Sequence, residues 1–407
     1  MRIAVEASWL NDPTPTGIGV YAHELLHALV RIAPEHRYLL LFHGKQWNGD
    51  DYGPSCEPVP YYAGKKCVAL ATVFPRLLRR VNADLLHGIF TSDAPRTSPV
   101  PVAVTVHDLF PATRPEGIPL AQRLLFRLQF GWAVRNAGLF FANSTFTKDE
   151  LIRAFGVPPE RIVVTLLGPG ANPPDDSGDG LPDAPSPQPS PARGEGDGQS
   201  PSARPAEAPS IPSTRPSRQR QETAGWLCLG AIEARKGQVA LLKAYALARE
   251  KNPALGPLIF AGPDRGDGKA LLRERRALGL EGAVRWEGFL DWRRSGDWRR
   301  REEMIRDAVA VLVPSFAEGF GLPVAEAMAR GRPVIASSIP PFEEVAGDAA
   351  RYAPPGDAGA WADAILAFAR DAGERDRLAA LGRARAAKFT WDACARQTLE
   401  GYERLLK

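Results

Sequence analysis

Short apolar runs and longer amphipathic segments follow one another along most of this chain. The apolar runs have the length of strands and lie at residues 2–7, 38–42, 85–87, 102–106, 226–229, 258–261, 308–314 and 333–337. Between several of them lie segments with apolar positions at helical spacing, such as 19–32 with Leu25, Leu26 and Leu29. Buried strands that are joined by helices form parallel sheets, so this pattern predicts an α/β protein.

The composition predicts two domains with a linker between them. A chain of 407 residues with 44% hydrophobic residues is long and apolar enough for two ordinary cores. Residues 173–223 are rich in proline, serine and glycine, with almost no large apolar residues. Because such a segment cannot bury enough surface to offset its ordering entropy, we expect disorder there. The predicted units are residues 1–172, the insertion 173–223 and residues 224–389, followed by a helix at 390–407.

The loop SFAEGFG after the run at 308–314 carries the most specific chemistry. It follows the carboxyl end of a predicted strand and precedes a predicted helix, which is where ligands bind in open α/β sheets. Gly319 and Gly321 allow the backbone to turn and to approach a ligand closely. Glu318 and Glu326 can border the same crevice, although a solvated loop charge and a complement to the helix dipole would also explain them.

The whole stretch PSFAEGFGLPVAEAMARGRPVIAS resembles the donor-site motif of retaining GT-B glycosyltransferases of family 4. The resemblance implies two Rossmann-like, doubly wound domains that face each other across a cleft, with the last helix packing back on the first domain. It also implies that Glu318 lies by the donor sugar and that Glu326 binds the ribose of the nucleotide. Gly319, Phe320 and Gly321 would form the donor-binding turn.

The segment GAIEARKG places Arg235 and Lys236 just before a predicted helix. Two cations beside the backbone N–H groups of a helix N-terminus suit a diphosphate, although a solvated pair of charges is the ordinary alternative. The segment resembles the pyrophosphate-contacting motif of the same family, which implies donor binding by both residues.

Gly17 and Gly19 lie between the first predicted strand and the first predicted helix. An isolated GxG is weak evidence, and a tight strand-to-helix turn would also explain it. The next strand ends in His43, Gly44 and Lys45 without the acidic residue that would bind an NAD ribose, which argues against a dehydrogenase. The resemblance implies instead that this glycine loop faces the donor.

His107 and Asp108 follow the run at 102–106. A histidine there could hydrogen-bond a sugar hydroxyl or assist proton movement, or one of the two residues could simply orient the other. VTVHDLFP resembles the corresponding motif of mannosyltransferase-like members, which makes His107 a candidate catalytic residue beside Glu318.

The segment 120–137 predicts a helix with Leu124, Leu128 and Trp132 on one face and arginines elsewhere. It is interpreted as a core helix with a solvated basic face. The alternative is a surface for a lipid-linked acceptor or for peripheral contact with the inner membrane surface.

The charge and cysteine content exclude several classes of protein. A net charge of +4 on a chain of this length does not call for nucleic acid, and four scattered cysteines favour neither a disulfide framework nor a zinc site. The chain starts on a strand-like segment with no signal-peptide pattern and has no apolar run of membrane-spanning length, so we expect a cytoplasmic protein.

The sequence thus predicts a retaining glycosyltransferase that moves a hexose from a nucleotide sugar to a glycan or lipid-linked acceptor. GDP-mannose is the favoured donor. We expect no cofactor and no metal at the site, because no Asp-x-Asp motif is present. A GT-B epimerase or phosphorylase and a non-catalytic binding protein remain alternatives.

Overall fold

Two parallel sheets organise the chain in the computed structural model, which describes residues 1–12, 16–47, 50–63, 66–114, 119–171 and 225–407. The insertion predicted to be disordered, 173–223, lies outside the described residues. The first sheet has seven strands in the order β3-β2-β1-β4-β5-β6-β7, and the second has six in the order β10-β9-β8-β11-β12-β13. The α/β prediction is confirmed.

The first sheet is built from seven short strands and five principal helices. The strands are β1 (Arg2–Glu6), β2 (Arg37–His43), β3 (Cys56–Tyr61), β4 (Leu85–Gly88), β5 (Val102–Val106), β6 (Leu139–Ala142) and β7 (Ile162–Val164). The helices are α1 (Gly17–Ile32), α2 (Phe74–Arg80), α3 (Phe110–Thr113), α4 (Leu120–Asn136) and α5 (Thr145–Phe155). The central strands are buried along their whole length because helices cover both faces of the sheet.

The second sheet repeats this plan. Its strands are β8 (Trp226–Leu229), β9 (Leu258–Ala261), β10 (Val284–Trp286), β11 (Ala310–Val313), β12 (Val334–Ser337) and β13 (Ala350–Ala353). Its helices are α6 (Gln238–Lys251), α7 (Gly268–Ala277), α8 (Ser295–Asp307), α9 (Leu322–Ala329), α10 (Pro340–Ala346), α11 (Ala358–Arg370) and α12 (Ala372–Ala386), and the chain ends in α13 (Trp391–Leu406).

The strand order of each sheet reverses direction once. In the first sheet the reversal lies between β1 and β4, and in the second between β8 and β11. Helices leave opposite faces at such a point, so the carboxyl ends of the two central strands border a crevice that is open to a ligand. The segments after β8 and β11 are those that carry Arg235, Lys236 and Glu318.

The last helix, α13, packs against α1 of the first sheet. The hydroxyl of Tyr402 lies 2.6 Å from Nδ1 of His87, and Nε2 of the same ring lies 2.8 Å from the hydroxyl of Thr105, which also contacts Tyr21. Burial lowers the pKa of His87 to about 3, so the ring is neutral at pH 7. A fully buried chain of hydrogen bonds therefore attaches the end of the chain to the centre of the first sheet.

Helix α4 corrects one expectation from the sequence. Its leucines, expected to pack in a core, are half or more exposed at Leu120, Leu124, Leu125 and Leu128. The helix packs through another face, because Phe130 and Ala133 are buried and the ring of Phe130 contacts that of Phe155 at 4.5 Å. Among the described residues, no helix is both long enough and apolar enough to span a membrane.

Candidate functional site

Glu318 and two cations form the centre of the candidate site. Nη1 of Arg235 donates to Oε2 of Glu318 at 3.0 Å, Nζ of Lys236 pairs with Oε1, and Oγ of Ser315 donates to Oε1 at 2.9 Å. Burial would raise the pKa of Glu318, but the charges of Lys236 and Arg235 outweigh it and hold that pKa at about 2. Glu318 is therefore a carboxylate at any physiological pH.

The backbone of this cluster depends on glycine. Gly237, with φ of 70°, precedes helix α6 and lies so close to the carbonyl of Pro314 that a Cβ would overlap it. The segments after β8 and β11 can therefore touch, and Phe316 N donates to Arg235 O at 2.8 Å. This contact holds both cations beside the N-terminus of α6, where backbone N–H groups favour an anion.

The charges of the cluster do not cancel. Arg235 also pairs with Glu233 at 2.8 Å. Asp108, in the first half of the chain (residues 1–171), interacts electrostatically with Arg235, Glu318 and Glu233. Burial raises the pKa of Asp108, which the charge of Arg235 partly opposes. In the free protein Glu318 and Glu233 pair with these cations, so they compete with a diphosphate for Arg235 and Lys236.

His107 faces the glycine turn of the second half. Its carbonyl is so close to Gly319 that any Cβ there would overlap it, and Asn143 Nδ2 donates to the same carbonyl at 3.0 Å. Across the same contact, Ser144 Oγ donates to Gly319 O at 2.6 Å. Gly319 therefore lies directly against the first half, and a side chain at this position would overlap the His107 carbonyl.

The His107 ring is neutral and oriented. Burial lowers its pKa to about 4, and because a carbonyl can only accept, Nε2 carries the hydrogen that it donates to Ile89 O at 2.9 Å. Tyr21 packs edge-on against the ring at 4.7 Å. The remaining nitrogen, Nδ1, is an acceptor, as a ligand hydroxyl requires.

The other predicted donor-site residues differ in how they are placed. Gly321, with φ of 112°, precedes α9, while the Phe320 side chain is buried against Phe389, so only its backbone could meet a donor. Gly17 begins α1, and a Cβ there would lie 3.3 Å from Leu322 of α9. Gly19 is buried within α1 and instead lines a recess with His23 and Trp292.

Glu326 is paired rather than open to solvent. It is 4% exposed, and Nη2 of Arg301 on α8 donates to its Oε2 at 2.5 Å. Its other oxygen lies against Gly170, where a Cβ would overlap it. To accept a hydrogen bond from a ribose, Glu326 would have to give up or share its contact with Arg301. The assignment of Glu326 to the ribose stays a prediction.

We expect Arg301→Gln to lower the free energy of unfolding by about 1–3 kcal/mol, because it leaves the buried Glu326 carboxylate without its charged partner. Urea unfolding of the full chain measures this loss. The neighbouring Arg300→Gln is the matched control, since that side chain is 57% exposed and should change stability little. Equal stability of the two variants would contradict the assigned contact.

Sequence reasoning missed two features of the site. The first is Glu344, whose carboxylate accepts hydrogen bonds from the backbone N–H groups of Thr145 and Phe146 at the start of α5, across the two halves. The contact itself could not be read from the sequence. Lys66 joins the fully buried Glu6 and Asp93 at 2.7 and 2.8 Å beside the reversal point of the first sheet. The sequence signal for this cluster was Glu6, an acidic residue within the apolar run 2–7.

Both halves of the chain match models of known families. Residues 15–168 match the family described as Glycosyltransferase Family 4, and residues 224–371 match Glycosyl transferases group 1. The chain is 29% identical to the O-antigen chain mannosyltransferase B of Escherichia coli over 305 residues, which are 74% of this chain and 70% of that protein. It is 32% identical to a D-inositol 3-phosphate glycosyltransferase of Nocardioides sp. over 196 residues, 45% of this chain and 42% of that protein.

Solved structures show the same architecture over nearly the full length. An Anabaena protein, HepE, in complex with UDP and glucose matches with a TM-score of 0.69, 19% identity and 99% coverage of both chains. WaaG, a glycosyltransferase involved in lipopolysaccharide biosynthesis, matches with a TM-score of 0.68 and 15% identity, over 98% of this chain and 99% of that one. These likenesses establish the two-domain GT-B fold.

Proposed function

Because the chain belongs to the group 1 and family 4 glycosyltransferases, we propose that it transfers mannose from GDP-mannose to a glycan or lipid-linked acceptor, with retention of configuration. The observation that carries the proposal is the cluster of Arg235, Lys236 and Glu318 at the reversal point of the second sheet, opposite His107. The 29% identity to an O-antigen chain mannosyltransferase supports mannose and a polysaccharide product. UDP in the HepE structure keeps a UDP-sugar as the principal alternative donor.

In the proposed reaction, Arg235, Lys236 and the N-terminus of α6 stabilise the leaving diphosphate. The bond between the sugar C1 and the phosphate oxygen breaks, and its electron pair leaves with the nucleotide. The acceptor hydroxyl forms the new bond to C1 on the same face and gives its proton to the departing phosphate oxygen. Fixed positive charge at the point where negative charge develops lowers the barrier. We propose that these groups suffice without a metal.

Glu318 and His107 have separate roles in this scheme. The Glu318 carboxylate, with a pKa of about 2, is not an acid; it stabilises positive charge on the sugar ring and holds the two cations between turnovers. The neutral His107 presents Nδ1 to a sugar hydroxyl and orients the ring. The donor must displace part of the Glu318 pairing as it binds, which couples donor entry to rearrangement of this loop.

The test is a thermal-shift panel of GDP-, UDP- and ADP-sugars with and without magnesium, on the wild type and on Arg235→Ala. A donor at about a hundred times its dissociation constant stabilises the native state by about 2.7 kcal/mol. Stabilisation by GDP-mannose that is lost in the variant and unaffected by magnesium is the expected result. Stabilisation by UDP-sugars alone would identify a UDP-sugar, in place of GDP-mannose, as the donor. Absence of stabilisation by any nucleotide sugar would favour a non-catalytic protein.

Turnover assays then separate the remaining alternatives. Loss of GDP-mannose only in the presence of an acceptor glycan supports transfer, and the anomeric configuration of the product by NMR tests retention. Conversion of the donor without an acceptor would indicate an epimerase, and release of sugar phosphate with inorganic phosphate would indicate a phosphorylase.

We propose further that α4 meets an anionic bilayer that carries the acceptor. Four leucines of this helix are half or more exposed, and residues 120–136 include Arg123, Arg127 and Arg135 but no acidic residue. Apolar side chains beside cations suit the interface of an anionic membrane. This surface contact would hold the cleft close to a lipid-linked acceptor.

Co-sedimentation with vesicles tests the membrane contact. We expect binding to vesicles with 30% anionic lipid, on the order of 1 kcal/mol weaker for each arginine removed. Leu124→Ser with Leu128→Ser should abolish it. The exposed Leu272→Ser of the second half is the control. Equal binding of the α4 variant and the control would overturn the assignment.

A further inference from the structure

A cluster of metal-ligating side chains lies outside the candidate donor site. His23 and His27 are one turn apart on α1, and Asp50 approaches them from the segment after β2. One potential ligand atom from each of the three residues lies within 4.8 Å of the others. Nδ1 of His23 is 3.1 Å from Oδ2 of Asp50, and the two imidazole rings are 4.4 Å apart.

Aromatic side chains enclose this cluster. Tyr52 places its hydroxyl 2.9 Å from Nδ1 of His23 and its ring 4.7 Å from His27. Trp292, from the second half of the chain, packs its ring 4.5 Å from that of His23. The cluster therefore lies where α1 of the first half meets residues 291–293 of the second.

We propose that His23, His27 and Asp50 bind one divalent transition-metal ion of the zinc type. Two imidazole nitrogens and a carboxylate oxygen are ligands that zinc accepts, at about 2.0–2.2 Å each. Ligand atoms around a tetrahedral zinc lie about 3.3–3.6 Å from one another, so the three atoms, which now lie within 4.8 Å of one another, must move closer together when the ion binds. A water molecule as fourth ligand would complete a tetrahedral set.

The surrounding charge permits a cation. Arg293 is the nearby positive group, and its Nε and Nη2 donate to the two carboxylate oxygens of Asp291 at 3.0 Å each. That pairing compensates its charge, while Nη1 donates to the carbonyl of Asp12 at 3.1 Å. An ion bound between His23 and Asp50 would take the place of their direct contact, in which Nδ1 lies 3.1 Å from Oδ2.

The expected consequence is a more stable contact between the two halves. A bound ion fixes the His23 ring, and Trp292 packs on that ring. Because a ligand that binds only the folded chain stabilises it by mass action, zinc should raise the melting temperature. This expectation does not depend on the identity of the donor or on transferase activity.

The experiment titrates the metal-depleted full chain with zinc and with cobalt. We expect one equivalent bound, and for cobalt a visible d–d absorption together with quenching of the Trp292 fluorescence. His27→Gln and Asp50→Asn should each weaken binding at least about tenfold. Asp50 is 43% exposed, so its substitution leaves folding intact.

His43→Gln is the matched control, because it removes an exposed histidine of the same half of the chain. Quenching that is lost in Trp292→Phe, at unchanged affinity, would place the ion beside that ring. Absence of saturable binding in the wild type, or equal affinity in the wild type, His27→Gln and Asp50→Asn, would overturn the proposal. Binding lost only in His43→Gln would place the metal elsewhere.

Discussion

Arg235→Gln is expected to lower the rate of glycosyl transfer by about 10²–10³-fold, which is the loss expected when one preorganised group that stabilises a developing anion is removed. The variant should also lose affinity for the donor, because in the proposed complex the same guanidinium contacts the diphosphate in the ground state. The loss in kcat should nevertheless exceed the loss in affinity, since negative charge on the leaving phosphate is greatest in the transition state.

Steady-state kinetics with GDP-mannose and a fixed acceptor measure this effect. Arg276→Gln is the matched control, because that arginine lies on α7 of the same half, with a side chain that is 87% exposed. We expect its kinetics to equal those of the wild type. If kcat were unchanged in Arg235→Gln, Arg235 would not stabilise the transition state, even if the affinity for the donor fell.

Glu318→Gln should lower kcat by about 10²–10³-fold without weakening the binding of the nucleotide diphosphate. The carboxylate pairs with both Arg235 and Lys236, so in the free enzyme it competes with the diphosphate for those cations. An amide has no such charge, and the two cations become more available to the nucleotide. Turnover falls because positive charge on the sugar ring is no longer stabilised.

Calorimetry with GDP, together with kinetics, distinguishes a specific loss of turnover from a general disruption of the site. The predicted result is a divergence: affinity for GDP equal to or greater than that of the wild type, with severely reduced turnover. Glu57→Gln on the exposed edge strand β3 is the control. If affinity for GDP and kcat fell by the same factor, Glu318 would be a binding group rather than a competitor of the diphosphate.

The sequence located most of the strands in both halves, but not β3 or β13, which lack a continuous apolar run. Buried parallel strands are continuous apolar runs, and the loops after them carry glycines and charges that have no role in a core. These local patterns are visible without any knowledge of tertiary contacts. The runs at 102–106, 226–229 and 308–314 therefore located the segments that carry His107, Lys236 and Glu318.

Helix α4 shows where local pattern fails. Its sequence has a leucine face and an aromatic face, and both could serve as the buried side. The contact of Phe130 with Phe155 determines which of the two faces is buried. Since Phe155 belongs to another helix, no property of the α4 sequence could have selected it.

The metal cluster shows the same division. The spacing of His23 and His27 at i and i+4 places them on one face of a helix, and the sequence alone could have revealed that pair. Asp50 joins them only because the segment after β2 returns to α1. Trp292 reaches them from the second half, 265 positions beyond His27 in the numbering of the chain.

The sequence by itself determined the two-sheet plan, the residue types of the donor loop and their place after strands β8 and β11. Only the tertiary structure decided which charges meet: that Glu318 holds Arg235 and Lys236, that Glu326 is paired with Arg301, and that Gly319 touches His107. Secondary structure follows from interactions between near neighbours, which a linear pattern records. Pairing between distant charges depends on the strand order and on the contact between the two halves, which no local pattern contains.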